Sequence, residues 1–385
     1  MAKTETWPAR VVLMLCHCAG MVDLVALPVW IGTLIQHYRF DPQQAGGLAT
    51  LFLAGAVLSS IFLSSRFGRI SARLAASLGF GASAAAFFAM SLTSDFASLA
   101  ALHAAAGLAA GCGLSATHGT IGRSANPHRL FAIVGMALGV FAIAFLGATP
   151  QLVAAAGGSA LFKVFAGVML VAALGSVLGF PNPAATPLAP AEGLPSSGKL
   201  GRNVWLIVIG VSLMSLVQAM IFSFVERIGT DRGFGFEAVT GVLIALGLVN
   251  LLPAPLAALL QRRLPAHLVV LMGPVAQAVI ALVITQSQGF APYAAATAMF
   301  AAVMIFTHTF AFGLLSALDP SGRAPAATPA MLMIGSAIGP VLGGTLVKGF
   351  GYGSLGIVAL LLAMGAVACF SQLRPRPAPT TSTLA

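Results

Sequence analysis

Charge is what this sequence has least of. Only 7% of its 385 residues are Asp, Glu, Lys or Arg, against roughly a quarter in a soluble domain. That scarcity excludes a globular surface in water, because 58% of the residues are hydrophobic and no soluble core absorbs such a share. Cysteine is scarce too. Cys16, Cys18, Cys112 and Cys369 all lie inside apolar stretches without paired loop spacing, which argues against a disulfide framework or a zinc site. The sequence lacks a glycine-rich phosphate loop, a nucleophile beside a base and a long soluble segment, so neither an enzyme nor a cofactor is expected. It also lacks a ring of charged or repeated filter residues, which argues against a channel.

What is there is a succession of apolar runs of about 20 residues, the length that crosses a bilayer. They fall near residues 9–37, 42–64, 72–93, 96–119, 130–154, 160–180, 204–227, 237–260, 267–287, 290–316, 327–348 and 352–372. These runs predict an all-α integral membrane protein of about twelve transmembrane helices. The first run contains His17 and Asp23 and lacks a clear small-residue cleavage site, so it reads as a retained helix rather than a signal peptide. Residues 181–203 are rich in Pro, Ala, Gly and Ser and have no apolar period. They predict a linker between one six-helix bundle, 1–180, and a second, 204–385.

The net charge of +10 is spread through the loops, so it speaks for topology and against nucleic acid as a partner. With a cytoplasmic N-terminus, Arg39, Lys163, Arg227, Arg232 and Lys348 fall outside and the other 14 of the 19 basic residues fall inside. An excess of Lys and Arg in inner loops sets orientation, so both termini and the linker are expected to be cytoplasmic. Short loops, Ala-rich helices and Arg over Lys suggest a bacterial cytoplasmic (inner) membrane. The two halves echo each other. Ser65 to Arg69 follows the second run as Gln261 to Arg263 follows the eighth, and Thr117-His118 in run four matches Thr307-His308 in run ten, as parallel repeats would.

Two motifs carry a family resemblance. The loop after run two keeps Leu63, Arg66, Gly68 and Arg69, and run eleven holds Gly335, Gly339, Pro340, Gly343 and Gly344, with a looser version at Gly135, Gly139, Gly147 and Pro150. With twelve helices and a central linker, the chain resembles a major facilitator superfamily transporter over nearly its whole length. The resemblance implies two pseudo-symmetric bundles, alternating access, and a cavity lined by helices one, four, seven and ten. It implies conformational roles for Arg66, Gly68, Arg69, Gly335, Gly339, Pro340 and Gly343. Ser65 and Ile61 stand where the family has an acid and a glycine, so a conventional charge latch is not implied. His103, with Gly107, stands where some members carry an Arg. On physical grounds alone, glycines at every fourth position allow close helix approach, which serves tight packing as well as sliding.

An ionisable side chain in hydrocarbon costs at least about 2.5 kcal/mol, so each one there needs a reason. Asp23 lies mid-run, ahead of Pro28, which removes a backbone donor and loosens the helix. Asp23 is the expected proton-coupling residue; the bland alternative is a carboxylate hydrogen-bonded for structure. His17, Trp30, His103, Gln218, Phe222 and His308 are the expected solute-binding residues, because they sit in runs one, four, seven and ten. His118, Asn250, Gln151 and Gln277 read as structural. Phe222, Phe224, Phe306, Phe310 and Trp30, with a central acid and no central base, favour a small lipophilic or aromatic solute exported in exchange for protons. The alternative is proton symport importing an organic acid or amino acid held by His103 and His308. Cys16 and Cys18 diverge by about 160° on a helix, so no metal site is expected there. The expected partners are the solute, protons and the lipid bilayer, with the protein a monomer.

Overall fold

Twelve apolar helices, each long enough to cross a bilayer, follow one another in the computed structural model, which describes residues 6–64, 70–124, 126–181, 201–318 and 328–373. The crossings are Trp7–Gln36, Pro42–Leu63, Ala72–Met90, Phe96–Gly122, Arg129–Ala156, Ser159–Gly179, Arg202–Asp231, Phe236–Ala257, Ala266–Gln286, Phe290–Leu318, Met331–Phe350 and Gly353–Ser371. The predicted runs map onto them one to one. No strand occurs among the described residues. Helices answer the lack of water in lipid, since each backbone donor finds its acceptor within the same segment. Asp95 and Asn126 cap crossings 4 and 5, accepting from the N–H groups of Ser98 at 2.8 Å and Arg129 at 3.1 Å. Arg66, Gly68, Arg69 and most of the expected linker lie outside the described residues.

Three crossings are interrupted. Crossing 1 is two segments, Trp7–Gly20 and Val22–Gln36, with Met21 between them. The expected loosening at Pro28 is not where it breaks: Pro28 sits inside the second segment. The break instead follows Gly20, a poor helix former, where the Leu114 side chain of crossing 4 leaves no room for a Cβ. Crossing 7 breaks at Ser223 and Phe224 and restarts as Val225–Asp231. There Ser223 Oγ donates to the Ala219 carbonyl at 2.6 Å, a bond that competes with the backbone and bends helices. Crossing 8 breaks between Val249 and Pro253, where the proline lacks the N–H that would continue the backbone ladder.

The pairing of crossings repeats between halves. Crossing 1 packs on 5 and 6 as 7 packs on 11 and 12; 3 packs on 4 and 6 as 9 packs on 10 and 12; 2 packs on 4 as 8 packs on 10. Between the halves, 2 meets 11 and its counterpart 8 meets 5. An even number of crossings puts both chain ends on one side. Among the described residues that side carries Arg10, Arg73, Arg123, Arg129, Arg202, Arg262 and Arg263 and no acid, while Asp41, Asp95, Asp231 and Glu237 occupy the other end.

Candidate transport site

Asp23 stands just past the break in crossing 1, the second residue of the restarted helix and near the midpoint of the thirty-residue crossing. A restarted helix presents unpaired N–H groups, so an acid in its first turn is electrostatically favoured. The carboxyl faces the backbone N–H groups of Asp23 and Leu24. The residue is 5% exposed and its Oδ1 has no hydrogen-bond partner. A buried acceptor without a donor costs about 1–3 kcal/mol, so this oxygen is the least satisfied polar group in the middle of the crossing.

The imidazoles sort into two kinds. His17 on crossing 1 meets His118 on crossing 4, Nδ1 to Nε2 at 3.0 Å. His118, read from the sequence as structural, is thus the partner of an expected solute-binding residue. His103 is wholly buried. Trp30 Nε1–H donates to its Nε2 at 3.3 Å, and its Nδ1 lies 2.6 Å from the Leu99 carbonyl. Because an indole N–H only donates, Nε2 accepts and the proton sits on Nδ1. Both ring nitrogens are therefore occupied.

Trp30, also fully buried, stacks on His103 and packs edge-on against Phe52, Phe87 and Phe165 of crossings 2, 3 and 6. The structure places Trp30 and His103 inside the first bundle, not on an open cavity wall.

In the second half, Gln277 of crossing 9 donates to the Met214 carbonyl at 3.1 Å and to Gln218 Oε1 at 3.3 Å, tying crossing 9 to crossing 7. Gln218 is half-buried. His308, half-buried, donates from Nδ1 to the Met304 carbonyl at 2.9 Å. Phe222 and Phe310 are each 5% exposed and Phe224 is fully buried. These rings build helix contacts, so the expected aromatic wall is largely packing.

The glycine stripe of crossing 11 has two faces. A Cβ at Gly335 would overlap the Ser212 carbonyl, one at Gly339 would come within 2.6 Å of Ala219 Cβ, and one at Gly343 within 2.9 Å of the Phe224 ring. That face packs on crossing 7 of the same half. Pro340 and Gly344 face the other half instead: the Pro340 carbonyl meets Gly46, and Gly344 meets the Pro42 carbonyl. Val341 N–H donates to Thr50 Oγ1 at 3.2 Å, and Lys348 Nζ reaches Asp41 Oδ2 at 2.9 Å. Partial burial works against ionisation of Asp41, but the N–H groups of Gln44 and Gln43 and the Lys348 ammonium outweigh it and hold the carboxyl below the usual carboxylate range. Crossings 2 and 11 thus close the seam between the halves at the end away from the chain termini. A cavity of about 520 Å³ lies at the opposite end, lined by Gly201 to Val204 and Leu318. Its lining includes neither Asp23 nor a histidine.

A second intramembrane acid stands in the other half. Glu226, on the restarted segment of crossing 7, lies against Gly32 of crossing 1, where a Cβ would overlap its Oε2. Its visible signal was an acid inside an apolar run; the partner glycine gave none.

Comparison with known proteins agrees with this architecture. The sequence profile of the Major Facilitator Superfamily matches residues 13–328. No curated protein matches the chain. Among solved structures, a bacterial homolog of the human lysosomal transporter Spinster, inward-facing and unoccupied, is 15% identical with a TM-score of 0.67, covering 96% of this chain and 95% of that one. The nucleoside transporter NupG is 14% identical with a TM-score of 0.69, covering 95% of this chain and 97% of its own. A mutant of NupG gives a TM-score of 0.74 at 12% identity, over 95% of this chain and 100% of that one. At these identities the likeness concerns the fold, and the profile match over most of the length settles the rest: the chain belongs to the major facilitator superfamily of membrane transporters.

Proposed function

We propose that this transporter is driven by protons, that Asp23 is the coupling residue, and that the solute is a small neutral or cationic apolar compound exported from a bacterial cytoplasm in exchange for protons. The coupling rests on one observation, the buried Oδ1 of Asp23 without a partner at the break of crossing 1. A carboxyl that lacks a partner in one state and gains a proton or a cation in another supplies the differential energy that a coupled cycle requires. The solute class rests on charge: Lys and Arg stand only near the ends of the described crossings. Export is favoured over uptake of an organic acid because His103, a residue the uptake reading needs, already spends both nitrogens on Trp30 and Leu99. The basic end, where the termini lie, is the cytoplasmic one. Selection for aromatic solutes is not part of the proposal, since the rings that suggested it are packed.

The test is transport of a mixed panel of compounds into membrane vesicles of both orientations, under an imposed pH gradient, for wild type and Asp23→Asn. Movement of one solute class toward the outside, driven by the gradient and lost in the variant, supports the proposal. Gradient-driven movement that persists in Asp23→Asn removes Asp23 from the coupling, and accumulation toward the cytoplasmic face reverses the direction.

A further inference from the structure

Glu226 repeats the setting of Asp23 in the other half. Crossing 7 breaks, restarts at Val225, and carries an acid as the second residue of the new segment, as crossing 1 does with Asp23. The position differs: Glu226 lies five residues from the end of its crossing, at the end of the bundle away from the chain termini. Its Oε1 accepts from Thr230 Oγ1 at 3.1 Å. Its Oε2 is buried, has no hydrogen-bond partner, and is pressed on the backbone of Gly32 from the opposite half.

Of the charges around it, Arg227 favours the charged carboxyl and Asp231 opposes it. On its own segment Arg227 is committed to Asp231 in a 2.6 Å ion pair. From crossing 10, the Tyr293 hydroxyl donates to the Val225 carbonyl at 2.7 Å. Glu237, at the start of crossing 8, is exposed. From crossing 1, Gly32 lies against the carboxyl. The contact is a seam between halves, so it forms when this end closes and opens to water when the halves part.

We infer that Glu226 is a second proton-exchanging carboxyl, whose neutral form lets this end of the transporter close on Gly32. When the end is open, water solvates the carboxylate. A proton from that side binds Oε2, the neutral carboxyl buries against Gly32, and reopening returns the proton to the same side. Burying the charged form without a donor costs far more than burying the neutral one, which makes closure depend on pH. The inference rests on alternating access by the family fold and not on Asp23.

The experiment measures the distance across this end in lipid nanodiscs. Nitroxides are placed on exposed Gln36 and Gln288, as Gln36→Cys and Gln288→Cys, with the native cysteines replaced, and spin-echo distances are recorded from acid to alkaline pH. Wild type is expected to shift from the short to the long distance as pH rises. Glu226→Gln, neutral at every pH, is expected to stay short throughout. Gly32→Ala should favour the long distance, and adding Glu226→Ala should restore the short one. A wild-type distribution that ignores pH, or a Glu226→Gln response equal to wild type, overturns the inference. If Glu226→Gln does not reach the membrane, an unchanged distribution in Gly32→Ala overturns it instead. Asp23→Asn separates the two carboxyls: loss of the pH response there, with retention in Glu226→Gln, leaves Asp23 standing and removes Glu226.

Discussion

Crossings 1 and 7 are counterparts, and both are broken helices that restart with an acid in second place. They part company in where the acid ends up. Asp23 lies near the middle of its crossing with an unpartnered oxygen, whereas Glu226 lies near the end of its own, against a glycine of the other half. The difference teaches that a repeat duplicates a device more faithfully than a location. The same break and the same acid are offered to the interior of the membrane in one half and to the seam in the other. The seams differ likewise: crossings 2 and 11 meet through Pro42, Gly46, Pro340 and Gly344, while 5 and 8 meet through Gly139, Gly247 and aliphatic side chains.

The largest effect that sharpens the first comparison is expected from Asp23→Asn. It should abolish gradient-driven transport while leaving the thermal midpoint of the purified protein undiminished, because a neutral amide of the same size replaces a carboxyl whose Oδ1 lacks a partner. A midpoint that fell with the activity would make Asp23 structural. Next comes a pair of glycine substitutions that separates packing within a half from packing across the seam. A Cβ at Gly107 would overlap the Phe52 carbonyl inside the first bundle, so Gly107→Ala should cost about 1–3 kcal/mol and lower the melting temperature. A Cβ at Gly46 would overlap the Pro340 carbonyl across the seam. The halves can part there, so Gly46→Ala should leave the melting temperature nearly unchanged and lengthen the Gln36 to Gln288 distance. Equal melting losses would erase the distinction.

A smaller effect is expected inside the first bundle. Trp30→Phe removes the donor to His103 and leaves a buried nitrogen unpaired, for about 1–2 kcal/mol of lost stability in thermal melts. The smallest concerns the ion pair of Asp41 with Lys348, half in water. Asp41→Asn should cost less than about 1 kcal/mol. The carboxyl of Asp41 is held below its usual range, so the contribution of the pair is present above the ordinary carboxylate value and is lost as pH falls through the depressed one. In strong acid, where the pair is lost in wild type as well, spin-echo distances of Asp41→Asn and wild type should coincide.

Much of the fold was legible in the residues themselves. Twelve crossings followed from run lengths, because length against bilayer thickness is a local property, and two halves from the stretch 181–203 that lacks an apolar period. The breaks were not. Pro28 was the visible suspect, yet the interruption falls after Gly20, where the side chain of Leu114 presses from a helix about ninety positions away. The candidate site was legible only as an inventory. His17 and His118 were both noticed, but their 3.0 Å meeting spans 101 positions. Trp30 and His103 were expected on a cavity wall and instead satisfy each other in a core.

By itself, then, the sequence determined that the chain is helical, membrane-embedded, twelvefold and doubled, since lipid demands continuous apolar segments whose backbones pair internally. Only the tertiary structure decided which face of each helix meets which neighbour. In water an apolar stripe marks the buried side. In lipid the outward face is as apolar as the inward one, so nothing in the periodicity tells Gly32 that it will lie against Glu226.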